Sequence, residues 1–474
     1  MNRKSALILS GVLGTFFSTS AIAALNCTAS PDCASLGYTM SAADCTDGVK
    51  VACPTDTSKV FCKTMPALSI LYGDGTVDKN ILSGKTPVGI VFDEKNKLAV
   101  ALTDINESGS AGSSSMKWFY QYQGYDEPVL DNCEFNAGST SVDTCGESGE
   151  ENTYLLLRFY LAETHYSISR PAAFATFSYE PDGCSANFCK KKRWFLPNMG
   201  ELEKIYANKS AIQKLLSQIG GNAESLAEEG SYWSSTEYNK SNAWTKDMSD
   251  GLREYQDKYA AKNYVRPVVY YGEPKILQPI LYSDGTVSKK LETGKTPIGL
   301  VFDESKRLAV ALTDVNSSGK PGTAGMAWGG DCDTPLLNCC TTYVGCITQD
   351  ALTCDIDGSV NMTKLKDGCN GKANTAAMAA YNYAPTSCSK TFCQKNKWFL
   401  PSLHELNKMY SVIDNLNKTI NLIDGAVTIN RNQSYWSSNE YWSNNAWKFS
   451  LNDGDKGDYA KNSTYFYVRP VVKY

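Results

Sequence analysis

Histidine is nearly absent from this chain: His165 and His404 are the two in 474 residues. That scarcity excludes a multi-histidine metal centre and leaves little imidazole for acid–base chemistry. An excess of charge of one sign is also lacking. Lys and Arg total 46 against 50 Asp and Glu, scattered along the chain, for a net charge of -4. This balance provides neither the basic footprint of a nucleic-acid-binding protein nor a polybasic patch for a membrane surface. No set of paired Cys-x-x-Cys motifs occurs, which argues against structural zinc. Past the N-terminus no apolar run approaches 18 residues, so nothing further along reads as a transmembrane segment.

What is present begins with an address. Arg3 and Lys4 precede an apolar run from Ala6 to Phe17, and small residues at Ala21 and Ala23 fit a cleavage site. Residues 1–24 therefore read as a signal peptide, and the mature chain as exported: secreted, periplasmic or on the cell surface. A lipid anchor on Cys27 is disfavoured, because Leu25-Asn26 lacks the small residue such a site needs. All 17 cysteines follow the signal, in clusters at Cys27–Cys62, Cys133–Cys189 and Cys332–Cys393. In an oxidising compartment these are expected as disulfides, with one thiol left over or joined to another chain.

The chain then repeats itself. "ILYGDGTVDKNILSGKTPVGIVFDEKNKLAVALTDIN" from Ile70 returns as "ILYSDGTVSKKLETGKTPIGLVFDESKRLAVALTDVN" from Ile280. "KRWFLPNMGELEKIY" at Lys192 returns as "NKWFLPSLHELNKMY" at Asn396, and "SYWSSTEYNKSNAW" at Ser231 as "SYWSSNEYWSNNAW" at Ser434. A unit of that length is a domain rather than a solenoid repeat. We expect a Cys-rich segment over 25–68, a first repeat over 69–272 and a second over 280–474, joined at "GEPKILQP".

Each repeat reads as α+β. "TPVGIVF" and "KLAVALTD", separated by "DEKNK", predict a hairpin. Asn374–Tyr383 is alanine-rich and predicts a helix; its counterpart Arg170–Tyr179 is less clear. Ser402 with Glu405, and Asn198 with Glu201, have the spacing of capping boxes ahead of apolar helical stripes. Pro267 and Pro470 lack a ladder donor, so the closing "YVRPVV" should be an edge or bulged strand. The pairs Cys184–Cys189 and Cys388–Cys393 are each close enough in sequence to bridge a short turn.

Trp-Phe-Leu-Pro-x-x-x-Glu-Leu, Tyr-Trp-Ser-Ser-x-Glu, Ala-Trp and a terminal Val-Arg strand together resemble the Lcl C-terminal domain family. The likeness covers the later half of each repeat and none of the Cys-rich segment. The ending departs from it, with Val-Arg-Pro-Val-Val in place of Val-Arg-Cys-Val-Arg. The resemblance implies a C-type-lectin-like fold of the group that includes formylglycine-generating enzymes, in two tandem copies. Such a fold has few helices, short antiparallel strands, disulfides and buried tryptophans. On that basis Trp194, Trp233, Trp244, Trp398, Trp436 and Trp447 are core. Ser234, Ser235, Ser437 and Ser438 are expected to satisfy loop backbone.

The two copies align without a gap from Ser231 to Tyr271 and from Ser434 to Tyr474. The motifs are kept, yet "LREYQDKYAAKN" (252–263) and "DKGDYAKNSTYF" (455–466) share only Lys258 and Lys461. The changing residues are Tyr, Asn, Ser, Asp, Lys, Gly and one Trp, a composition common in binding loops. It is similar to the variable proteins of diversity-generating retroelements; ordinary drift in exposed loops is the alternative. The candidate ligand-binding residues are Tyr441, Trp442, Asn444, Asn445, Asp455, Lys456, Asp458, Tyr459, Asn462 and Tyr465. The expected partner is a protein or glycan at the cell surface. The rival is a structural, pilus-like surface component without a specific ligand.

Other chemistry is weaker. Asp104-x-Asn106-x-Ser108-Gly109 and Asp314-x-Asn316-x-Ser318-Gly319 resemble half a calcium loop. The twelfth position is Ser115 or Gly325 rather than Glu, so a polar turn is expected. Gly84-Lys85-Thr86 and Gly294-Lys295-Thr296 lack the earlier P-loop glycine, with Lys79 and Lys289 in its place. Neither histidine recurs in both repeats, and no cysteine follows Cys393 to supply a late reactive pair. We therefore expect no catalytic residues, no metal and no cofactor.

Overall fold

A computed structural model describes residues 40–41, 48–53, 59–64, 67–119, 130–146, 148–160, 171–260, 263–329, 337, 350–366, 375–388 and 390–474. The expected signal peptide and Cys27 lie outside the described residues, as does His165. The first strands, β1 (Met40–Ser41), β2 (Gly48–Ala52) and β3 (Lys59–Thr64), form a small antiparallel sheet in the order β1-β3-β2.

Next come β4 (Ser69–Tyr72), β5 (Val77–Asp78), β6 (Pro87–Asp93) and β7 (Leu98–Ala101). Helices α1 (Gly149–Tyr160) and α2 (Ala172–Ser178) precede β8 (Trp194–Phe195), α3 (Met199–Ala207) and α4 (Lys209–Ile219). Four strands close the set: β9 (Ser231–Glu237), β10 (Asn242–Asp247), β11 (Arg253–Asp257) and β12 (Val268–Tyr270). The second set copies the first. It runs β13 (Ile280–Tyr282), β14 (Val287–Ser288), β15 (Pro297–Asp303), β16 (Leu308–Ala311), α5 (Gly358–Leu365), α6 (Ala376–Asn382) and β17 (Trp398–Phe399). Then follow α7 (Leu403–Ser411), α8 (Ile413–Asn421), β18 (Ser434–Glu440), β19 (Asn445–Ser450), β20 (Lys456–Ala460) and β21 (Val471–Lys473).

Both sets build a six-stranded sheet and a three-stranded one. The orders correspond strand for strand: β5-β4-β6-β7-β12-β8 with β14-β13-β15-β16-β21-β17, and β11-β10-β9 with β20-β19-β18. This is a mixed helix-and-sheet fold with antiparallel pairing, as the sequence suggested. The β6–β7 and β15–β16 hairpins turn where Asp93 accepts from the Asn96 amide (3.0 Å) and Asp303 from that of Lys306 (3.0 Å). Both Ala-rich segments are helices, α2 included.

The two capping boxes form as read. Asn198 accepts from the Glu201 amide at 2.8 Å and Ser402 from that of Glu405 at 3.2 Å, and each Glu reaches back. The buried glutamates also accept from the amides of Gly149 (3.3 Å) and Gly358 (3.3 Å), tying α1 to α3 and α5 to α7. Only glycine fits at 149, because a Cβ there would lie 2.3 Å from the Glu201 carboxylate.

Three disulfides lie among the described residues with both partners visible: Cys133–Cys145, Cys184–Cys189 and Cys388–Cys393. The two five-residue bridges join the ends of a short turn beside β8 and β17. One expectation fails. β12 and β21 are interior strands, each between two neighbours, and not edges. Pro267 and Pro470 precede the ladder rather than interrupt it, and their carbonyls accept from Ala101 and Ala311 (both 2.9 Å). A second reading needs adjusting: Trp447 is half-buried, while Trp118 and Trp328, not singled out from the sequence, are in the core. Among the described residues no helix is long and apolar enough to cross a membrane.

Candidate functional site

The paired segments 252–263 and 455–466 follow a turn glycine and carry β11 or β20. β11 and β20 are the outer strands of the three-stranded sheets, so one backbone edge of each faces away from the fold. Such edges are protected by charge, here Glu254 and Asp257 on β11 and Lys456 on β20.

The shared lysine is the anchor. Lys258 and Lys461 are fully buried and ion-pair with the equally buried Glu237 and Glu440, the latter at 2.5 Å. The other carboxylate oxygen accepts from the Leu130 amide in the first repeat and the Leu337 amide in the second (both 2.6 Å). Each ammonium also lies 5.0 Å from an indole centroid, Trp118 or Trp328, within cation–π range. Around the anchor several backbone contacts are duplicated. The lysine carbonyl accepts from Trp118 (3.0 Å) or Trp328 (2.8 Å), and the carbonyl of Asn263 or Phe466 from Met116 (3.0 Å) or Met326 (3.1 Å). Those tryptophans donate through the indole to Ser234 and Ser437 (both 2.6 Å). Trp233 and Trp436 donate to the Met116 (2.8 Å) and Met326 (2.7 Å) carbonyls. Gly325 has a packing reason: a Cβ there would lie 2.0 Å from the Thr464 carbonyl.

A second buried pair holds the return strand. Arg266 meets Asp104 at 2.6 Å and Arg469 meets Asp314 at 2.9 Å, all four side chains being fully buried. Tyr232 and Tyr435 donate to the same carboxylates, at 3.0 and 3.2 Å. Burial pushes the Asp104 carboxyl upward, against the pull of Arg266. These are the leading aspartates of the half calcium loops, and their oxygens are engaged by arginine. Asn106 and Asn316 close the following turns on the amides of Ser108 (2.9 Å) and Ser318 (3.0 Å). Ser234 and Ser437 donate to the Trp244 (2.8 Å) and Trp447 (2.9 Å) carbonyls. Ser235 and Ser438 instead meet side chains, those of Asn152 (3.3 Å) and Asn361 (2.8 Å).

Over this scaffold the exposed surfaces differ. In the second repeat Trp442, Tyr459 and Tyr465 are 37%, 43% and 69% exposed. Asn444, Asp455, Lys456 and Asn462 are exposed beside them, while Tyr441, Asn445 and Asp458 are half-buried. Tyr459 and Tyr465 lie 6.2 Å apart and both meet Phe466 edge-on, which in turn packs at 4.7 Å on the buried Trp436. Asn445 donates to Asp458 at 2.6 Å, and Tyr441 packs against Trp447 at 5.1 Å. In the first repeat the register partner of Trp244 is Tyr255, where Trp447 has Asp458. Tyr255 is 49% exposed and stacks flat on Tyr238 at 3.9 Å, with Leu252 exposed nearby. One backbone path thus carries a flat tyrosine pair in one copy and two crossed tyrosines with an Asn–Asp bond in the other.

The sequence singled out Lys258 and Lys461 as shared but assigned them no partner. A signal was available: a shared acid, Glu237 or Glu440, lies 21 residues earlier in both copies. His404 places Nδ1 3.2 Å from the Leu352 carbonyl.

Residues 164–269 match the model of the Lcl C-terminal domain, a span that contains the whole first-repeat window. A fimbrial protein from Bacteroides ovatus ATCC 8483 aligns with a TM-score of 0.29 and 16% identity, over 44% of this chain and 49% of its own. The alignment therefore spans about half of that protein. Among curated proteins no match is found.

Proposed function

We propose that this chain, whose residues 164–269 match the Lcl C-terminal domain, is an exported binding protein at the cell surface or secreted from it. It displays changeable Tyr-, Asn- and Ser-rich windows on two C-type-lectin-like frames and takes a protein or glycan ligand, as an adhesin does. The carrying observation is the contrast in the second window. Trp442, Tyr459 and Tyr465 are exposed, while Trp436, Glu440 and Lys461 directly beneath are fully buried and bonded. Large aromatics held out over a rigid base give contact area at low entropic cost. The disulfides are compatible with export. The same reading makes the protein a binder and not an enzyme. The repeated acids serve structure: Glu201 and Glu405 cap helices, and Glu237 and Glu440 hold the windows.

The test is a triple substitution, Trp442→Ala, Tyr459→Ala and Tyr465→Ala, in the mature chain. Probed on a glycan array and against purified surface proteins, it should lose capture while melting unchanged. Retained capture, with loss of assembly into surface structures, would instead identify a structural component.

A further inference from the structure

A cleft of about 760 Å³ lies where the two repeats meet, away from either window. That volume falls among small-ligand sites, which favour domain junctions. Helix α1 presents Glu150, Glu151 and Tyr154 on one wall, and α8 presents Lys418 and Asn421 on the other. Lys192 and Arg193 enter from the turn before β8, and Phe177 and Phe188 add apolar surface.

Most of the charges are spoken for. Lys418 pairs with Glu151 at 2.6 Å, and Arg193 donates to the Asn421 carbonyl at 2.8 Å, so these bonds tie the repeats together. Two groups of opposite sign remain under-bonded. Among the described residues Glu150 makes no hydrogen bond or ion pair. Its carboxylate is accessible, and partial loss of water, with Glu151 adding repulsion, raises its pKa against the pull of Arg193 and Lys418. Among the described residues the Lys192 ammonium makes one hydrogen bond, to the Ala426 carbonyl at 3.3 Å, and burial and Arg193 lower its pKa against the pull of Asp424. The two do not reach each other. In the second repeat the positions of Glu150, Glu151 and Tyr154 hold Ser359, Val360 and Thr363, and that of Lys192 holds Asn396. This constellation therefore belongs to the cleft and not to the shared scaffold.

We propose that the cleft binds an amphipathic zwitterion, a free amino acid or short peptide with uncapped termini. Its ammonium meets Glu150, its carboxylate meets Lys192, and its apolar side chain lies over Tyr154, Phe177 and Phe188. A separated acid and base that do not pair with each other, set beside aromatic rings, complement a ligand of that pattern. The site is independent of the window reading.

The experiment is calorimetric titration of the mature protein with the tripeptide Ala-Phe-Ala and with free phenylalanine. The two probes distinguish a peptide from an amino acid as ligand. Saturable binding is expected to one of them. N-terminal acetylation should weaken it about tenfold or more, as should Glu150→Gln; C-terminal amidation should match Lys192→Met. Because the capped peptides need no variant, the test survives if a substitution unfolds the protein. No saturable binding at millimolar concentration, or affinity indifferent to both caps, overturns the proposal.

Discussion

Replacing Lys461 by Met is the sharpest perturbation of the scaffold. The lysine is 1% exposed and its partner Glu440 is 0% exposed, with 2.5 Å between them. Removing the ammonium leaves a buried carboxylate, still bonded to the Leu337 amide, without its counter-charge. Breaking one side of a buried pair costs about 3–5 kcal/mol, whereas replacing both partners by uncharged groups is often close to neutral. Lys461→Met should therefore lose about 3 kcal/mol or more of unfolding free energy, and Glu440→Gln with Lys461→Met should recover most of it. Urea unfolding followed by tryptophan fluorescence gives the energies. Hydrogen exchange across 455–466 gives the location, and faster exchange is expected in the single variant. If the double variant is as unstable as the single, or the single loses less than about 1 kcal/mol, the pair is not what holds the window.

Other outcomes follow from the same contacts. Burial raises the Glu201 and Glu405 pKa values to about 7, overcoming the backbone amides that favour the charged form. A folded-state pKa above the unfolded value stabilises fully at pH below the unfolded value of 4.5 and is lost as pH rises through about 7. Each carboxyl contributes roughly 3 kcal/mol across that range, so Glu201→Gln with Glu405→Gln should flatten melting temperature between about pH 4.5 and 7; an unchanged slope refutes it. Replacing Cys388 and Cys393 by serine frees a loop with a sequence separation of 5 and should cost about 2 kcal/mol, read from the urea midpoint. Gly325→Ala drives a methyl against the Thr464 carbonyl and should disturb exchange at 462–466 more than at β13–β16; uniform exchange contradicts the close approach.

Much of the fold could be read locally. Capping boxes, the β6–β7 hairpin and the five-residue disulfides depend on residues a few positions apart, and spacing alone predicts them. The repeat made the window visible by subtraction. What escaped depends on contacts distant in sequence. Pro267 suggested an edge strand because a missing donor was weighed without knowing that the ladder begins one residue later. Trp118 and Trp328 stand outside the repeated motifs, and only the fold carries them over Lys258 and Lys461. The cleft combines a helix from each repeat, and no single stretch of sequence encodes it.

The most direct test exchanges the windows. Residues 455–460 and 462–465 are replaced by their counterparts 252–257 and 259–262, sparing Lys461 and Phe466, and the thermal midpoint of the protein is measured. The account predicts a shift within about 2–4 °C, since only exposed or half-exposed positions change. Loss of a cooperative transition in the second repeat would show that the window is part of its core, and would contradict the claim that a fixed scaffold carries an exchangeable surface.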